Sequence, residues 1–155
     1  KKQNVELVLR NTSVKYAKVL RPGKAYDESK APEYSVNMYV TEADREVLMA
    51  HGVNPKEDKD GNEYFLAKRS SRNSKGDEVK PPTVVGPNKA PFTDDIGNGS
   101  VCNVVVTLFP WERQKRRGVL LYLNAMQVVT HVAYRAAAED HFDAIEGSDD
   151  MVDKF

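Results

Sequence analysis

The stretch "LFPWERQKRRG", Leu108–Gly118, holds the chain's only Trp, directly after a proline and ahead of four cations. Trp111 and Phe109 offer flat apolar faces, and Arg113, Lys115, Arg116 and Arg117 offer positive charge. Unstacked bases bind such rings with little regard for sequence, at roughly 1–3 kcal/mol per base. Cations pair phosphates and make the affinity salt-dependent. A plainer account makes the aromatics a plug for one end of a barrel and the basic run a solvated tip. Phe109 continues an apolar strand and is expected in the core. Trp111, between Pro110 and Glu112, has little core to enter and is expected at the surface as a stacking platform. Glu112 lowers the local positive field.

A second basic group, Lys68, Arg69 and Arg72, closes the strand-like "FLAKRSSR". If that strand lies near the hairpin, both groups line one groove. Otherwise these charges protect a sheet edge. Lys15, Lys18, Arg21 and Lys24 form a third, weaker group, and Tyr39 and Tyr64 are secondary stacking candidates. Catalytic chemistry is poorly provided for. The glycines of "VVGPNKAP" and "IGNGS" match no phosphate-cradling fingerprint. Cys102 has no histidine nearby in sequence, and one Cys with three scattered His gives no zinc spacing. Asp94–Asp95 is a single acidic pair. Capping and packing account for His51 and His131. No cofactor and no metal are expected.

These side chains need elements to position them. "VELVLRNTSVKYAKVL" alternates as a strand with a break or bulge near "RNTS", and its period puts Val14, Tyr16, Lys18 and Leu20 on one face. "EYSVNMYV" is a second strand, with Tyr34, Val36, Met38 and Val40 on one face. "TEADREVLMAHG" changes to a helical period, with Thr41 as cap, acids in the first turn and Gly52 as stop. Ala43, Val47 and Ala50 share one side of it. "EYFLAKRSSR" is the third strand, and a long Gly/Pro-rich connection follows. "VCNVVVTL" and "GVLLYLNAMQVVTHV" form a closing hairpin around the opening stretch. Five short or bent strands with one helix predict a mainly β fold, a five-stranded OB-type barrel. A rolled, unclosed α+β sheet is the alternative.

The 155 residues suit one domain over 1–135 with a tail over 136–155. The net charge of zero hides an asymmetry: residues 1–135 carry 22 Lys and Arg against 16 Asp and Glu, and the tail carries one Lys against seven acids. A basic body with an acidic tail fits a nucleic-acid binder or an interaction tail. "RAAAEDHFDAIE" could form a short helix packing Phe142 and Ile145. No run nears the roughly 18 apolar residues of a membrane span, and the first residues lack a signal-peptide core. A single cysteine makes a reducing, intracellular setting the default.

Taken together, "AKVLRPGKAY…EYSVNMYV" and "PPTVVGPNKAPFTDDIGNGSVCNVVVTLFPWERQKRRGVLLYLNAMQVVTHV" resemble the tailed-phage single-stranded-DNA-binding proteins of viral replication. The resemblance covers nearly the whole chain as an ordered pattern. It implies an OB fold, sequence-tolerant binding of single-stranded DNA in phage replication and recombination, no catalysis, and the cytoplasm of an infected host cell. It implies stacking by Trp111. Arg113 stands where some relatives carry a second aromatic, which points to a phosphate or cation–π contact instead. It also implies an acidic tail, here Asp149, Asp150, Asp153 and Phe155, that contacts replication proteins such as a polymerase or helicase. Lys154 and the spacing of the acids depart from the denser acidic ending of relatives. A homodimer is left open and no membrane partner is expected. Two competing readings are an adaptor whose basic face docks an acidic protein, and a nuclease using Asp94 and Asp95.

Overall fold

The computed structural model describes residues 4–23 and 29–134. The expected tail helix, the tail residues, Lys24 and the domain boundary at 135 lie outside the described residues. The elements run β1 (Val5–Gly23), β2 (Glu33–Tyr39), α1 (Glu42–Ala50), β3 (Lys56–Glu57), β4 (Glu63–Ser70), β5 (Thr83–Val85), β6 (Val101–Arg113) and β7 (Arg116–Thr130).

One long strand organises the fold. The first half of β1 pairs antiparallel with β6, from Val5↔Leu108 to Ser13↔Val101. Its second half pairs with β2, from Ser13↔Tyr39 to Gly23↔Glu33. β2 continues antiparallel onto β4, and β6 onto β7. A short parallel contact, Ala67↔Leu121 and Lys68↔Tyr122, joins β4 to β7 and closes the ring. The result is the expected closed five-strand barrel with one helix between its second and third strands. β3 and β5 are additions: β3 lies in the polar segment between α1 and β4, and β5 within the long connection. β5 pairs in parallel with β7. Backbone bonds from Val79 to Ser71, Gly86 to Ala90 and Phe92 to Val84 hold that connection along its course.

The two-residue period fills the interior. Cys102, Val104, Val106 and Leu108 point inward from β6, and Leu121 and Leu123 from β7. Asn124 is the extra residue of a bulge, after which Met126 and Val128 resume the inward positions. Tyr34, Val36 and Met38 of β2 and Phe65 and Ala67 of β4 complete the wall. Each of the buried Val, Leu, Met and Phe side chains contributes about 1.5–3 kcal/mol on burial.

Two readings of faces need correction. Val14, Tyr16, Lys18 and Leu20 do not share one. Tyr16 has φ 54°, which resets the alternation, so Val14 and Val19 are buried and Tyr16 is exposed. In α1 the Ala43, Val47 and Ala50 side faces outward, and Leu48 alone is buried, within the main core. The Thr41 hydroxyl accepts the Asp44 N–H at 3.3 Å, and Gly52 at φ 89° follows the C-cap residue His51.

Candidate nucleic-acid interface

Beyond Leu108, β6 leaves β1 and continues beside β7 alone. The missing N–H of Pro110 therefore removes no bond to β1. The ribbon runs through Trp111↔Gly118, Glu112↔Arg117 and Arg113↔Arg116. Its turn is Gln114–Lys115, at φ 50° and 68°, the left-handed pair that a two-residue hairpin turn requires. The stretch expected as a tip is thus mostly paired strand.

The period sorts its residues. Phe109, Trp111 and Arg113 share the outer side with their partners Leu120, Gly118 and Arg116. Leu108, Pro110 and Glu112 lie on the core-facing side with Leu121, Val119 and Arg117. Phe109 is consequently not a core plug. Leu108, 2% exposed, takes the inward position, so its neighbour turns out. There the Phe109 ring meets Tyr122 edge-to-face at 5.7 Å. Trp111 is 47% exposed. Its indole covers Gly118 so closely that a Cβ on that residue would sit 2.7 Å from Cζ2. Arg113 and Arg116 face each other across the ribbon beside this ring, an unfavourable like-charge pair. Arg117 belongs to the opposite side, opposed by Glu112, so neither bears directly on the Trp111 face.

β4 does lie beside the hairpin strand, but the parallel contact directs its end away from the turn. Lys68 is level with Tyr122, and Arg116 is six residues earlier in β7. That is roughly 20 Å at about 3.3 Å per residue. Lys68 and the Arg113–Arg116 pair therefore lie at opposite ends of the outer face. Arg69 donates to the Leu123 carbonyl at 3.2 Å and lies 5.0 Å over the Tyr122 ring. Arg72 donates to the Gly76 carbonyl at 3.3 Å and braces its own turn. Lys68 has its ammonium 3.8 Å from Glu33, in a partly exposed pair.

Tyr39 and Tyr64 are neighbours, their rings 5.8 Å apart and tilted by 41°. The Lys15 ammonium lies 5.0 Å from the Tyr39 ring. The Tyr39 hydroxyl donates to Asp58 Oδ2 at 2.9 Å. Burial first, and then that carboxylate, push the Tyr39 phenol up to about 12. Asp58 is held below its ordinary value, chiefly by the Asn62 N–H and further by the Tyr39 hydroxyl.

One paired row crosses the outer face: Ser35, Lys68, Tyr122 and Thr107. On the same side Asn37 pairs with Leu66, Phe109 with Leu120 and Trp111 with Gly118, and the Tyr39 and Tyr64 rings are neighbours. The sequence reading does not single out Tyr122 and Gly118, and of its two accounts of Phe109 it favours the core over the exposed ring. Their signal was present: Tyr122 lies between the inward Leu121 and Leu123, and Gly118 faces Trp111 once the turn is placed.

The remaining candidates separate from this face. Both oxygens of Asp95 accept from Arg21 Nη2 at 2.9 Å, and Asp94 is exposed. Burial raises the Cys102 thiol to about 12. Among the described residues no group of three or more His, Cys, Asp or Glu could hold a metal ion, and no helix is long and apolar enough to cross a membrane.

No protein-family model matches the chain, and no curated protein matches it in sequence. Solved structures do match. The C-terminally truncated single-stranded-DNA-binding protein of bacteriophage Enc34 superposes with a TM-score of 0.63 at 13% identity, covering 87% of this chain and 95% of that one. The single-stranded-DNA-binding protein gp2.5 of bacteriophage T7 gives 0.56 at 19% identity, over 99% and 100%. The Enc34 protein in complex with single-stranded DNA gives 0.56 at 12% identity, over 84% and 89%. The chain has the fold of these phage proteins.

Proposed function

We propose that this chain binds single-stranded DNA without sequence preference, along the outer face of β7, β4 and β2. The observation that carries the reading is the seating of Trp111. One face of the indole rests on Gly118, and the residue stays half exposed beside Arg113 and Arg116. A base stacked there brings a phosphate to two cations whose mutual repulsion it relieves. Phe109, Tyr122, Tyr64 and Tyr39 continue the apolar track, and Lys68 meets phosphate at its far end. Arg69 acts by holding Tyr122, and Arg72 by holding its turn. OB barrels present the same strand face and hairpin loop to oligonucleotides, and one matching structure is a complex with single-stranded DNA.

Within this reading the protein covers single strands during phage replication and recombination in the host cytoplasm. Its acidic ending, with Asp149, Asp150, Asp153 and Phe155, recruits a polymerase or helicase. The role is binding without catalysis. Fluorescence titration of Trp111 with oligo-dT tests it. Trp111→Ala is expected to weaken binding by about 1–3 kcal/mol. The affinity is expected to fall steeply as salt rises. Absence of any oligo-dT binding would leave the adaptor reading standing, and metal-dependent cleavage of a labelled strand would revive the nuclease.

A further inference from the structure

The strained backbone at Tyr16 has no part in the site described so far. Left-handed φ is unfavourable for a bulky residue, yet Tyr16 adopts 54°. The surroundings build this conformation. Asn98 Oδ1 accepts the Tyr16 N–H at 2.8 Å. Two residues before Tyr16, the Val14 carbonyl accepts the Gly99 N–H and the Val14 N–H donates to the Ser100 carbonyl, both at 2.9 Å. This is the work of the "IGNGS" segment, which carries no phosphate-binding pattern. The bulge sets Tyr16 and Ala17 against Val36 alone, between the pairs Lys15↔Asn37 and Lys18↔Ser35.

Two consequences follow. The ring is delivered to solvent, 54% exposed, rather than to the core. Lys15 and Lys18 are both brought opposite outward-facing residues of β2, so two cations flank the bulge on the face that carries Tyr39 and Tyr64. The Tyr16 phenol lies close enough to Tyr39 to contribute to the rise of its pKa. Strain at an exposed aromatic, held by dedicated hydrogen bonds, is the pattern of a preorganised contact.

We propose that Tyr16, with Lys15 and Lys18, forms a second nucleotide subsite, a stacking platform with its own phosphate contacts at the β1 edge of the face. This rests on the reading of the face as a single-strand track. A strand stacked on Trp111 crosses β4 and β2 to reach it, so only oligonucleotides of sufficient length engage both.

The test is a ladder of oligo-dT lengths, from about 3 to about 16 nucleotides, bound to the wild type, Tyr16→Gly, Tyr16→Phe and Trp111→Ala. Glycine removes the ring and accepts the left-handed backbone, so the fold is retained; the melting temperature checks this. Tyr16→Gly is expected to weaken long oligonucleotides by roughly five- to a hundredfold and to leave the shortest unchanged. Tyr16→Phe is expected to bind as the wild type does. Wild-type affinity of Tyr16→Gly at every length, with Trp111→Ala weakened, overturns the subsite and leaves the track standing. Wild-type affinity of both variants overturns both.

Discussion

At the scale of single residues, the proposed site rests on a glycine as well as a tryptophan. Gly118 has no positive φ, so alanine meets no backbone penalty there. Its Cβ would, however, lie within 3.0 Å of three indole atoms, and the ring is the part free to move. Gly118→Ala is therefore expected to leave the melting temperature nearly unchanged, shift the Trp111 emission and reduce oligo-dT affinity. Unaltered affinity with a shifted emission would show that indole orientation is immaterial. Asp58 provides a second handle. Its carboxylate accepts from the Asp60 and Asn62 N–H groups and from Tyr39, and its pKa is depressed. A depressed carboxylate stabilises the fold above its unfolded value, near 3.8, and loses that contribution as the pH falls through its folded value. Melting curves should show the wild type more stable than Asp58→Asn at neutral pH, with the gap closing on acidification.

At the scale of elements, the decisive features are places where regular alternation breaks. The β1 bulges at Asn11 and Tyr16 let one strand serve β6 and then β2. The Asn124 bulge keeps both halves of β7 facing the same core. The helix is attached through one fully buried residue, Leu48. Leu48→Ala is expected to cost about 2–5 kcal/mol in a denaturant titration, a large share for an element whose other apolar residues face solvent. Cys102 sits in the middle of the barrel wall with its thiol raised by burial. A thiol reagent should label it only after unfolding, and DNA, by binding the folded state, should slow that labelling. Fast native labelling would mean that β6 opens locally.

At the scale of the whole molecule, charge is divided between body and tail. The positive surplus of residues 1–135 is matched by the acids of the tail. Under the proposed function, salt would act on two interactions: DNA with the body, and tail with any basic surface. A chain ending before Glu139 is expected to bind oligo-dT more tightly at low salt than the full chain, with the difference shrinking as salt rises. Equal affinities at all salt concentrations would place the tail away from the DNA face.

The alternation of β6, β7, β2 and β4, the cap and stop of α1 and the split of charge are all legible from neighbours along the chain. Strand period, helix cap and composition are local quantities, and they sufficed for a five-strand barrel with one helix. Register is not local. Whether Phe109 or Leu108 faces the core depends on which residue of β1 and β7 each meets. That phase put Phe109 outside, Arg117 behind the ribbon and Gly118 under Trp111. The parallel β4–β7 contact, joining segments some fifty residues apart in sequence, moved Lys68, Arg69 and Arg72 away from the turn. Tyr16 was placed by the side chain of Asn98, a hydrogen bond that no pattern around Tyr16 announces. The chain by itself determined which residue types were available to stack and to pair phosphate. Tertiary pairing decided which of them share a face, because a shift of one residue in register turns every side chain to the other side.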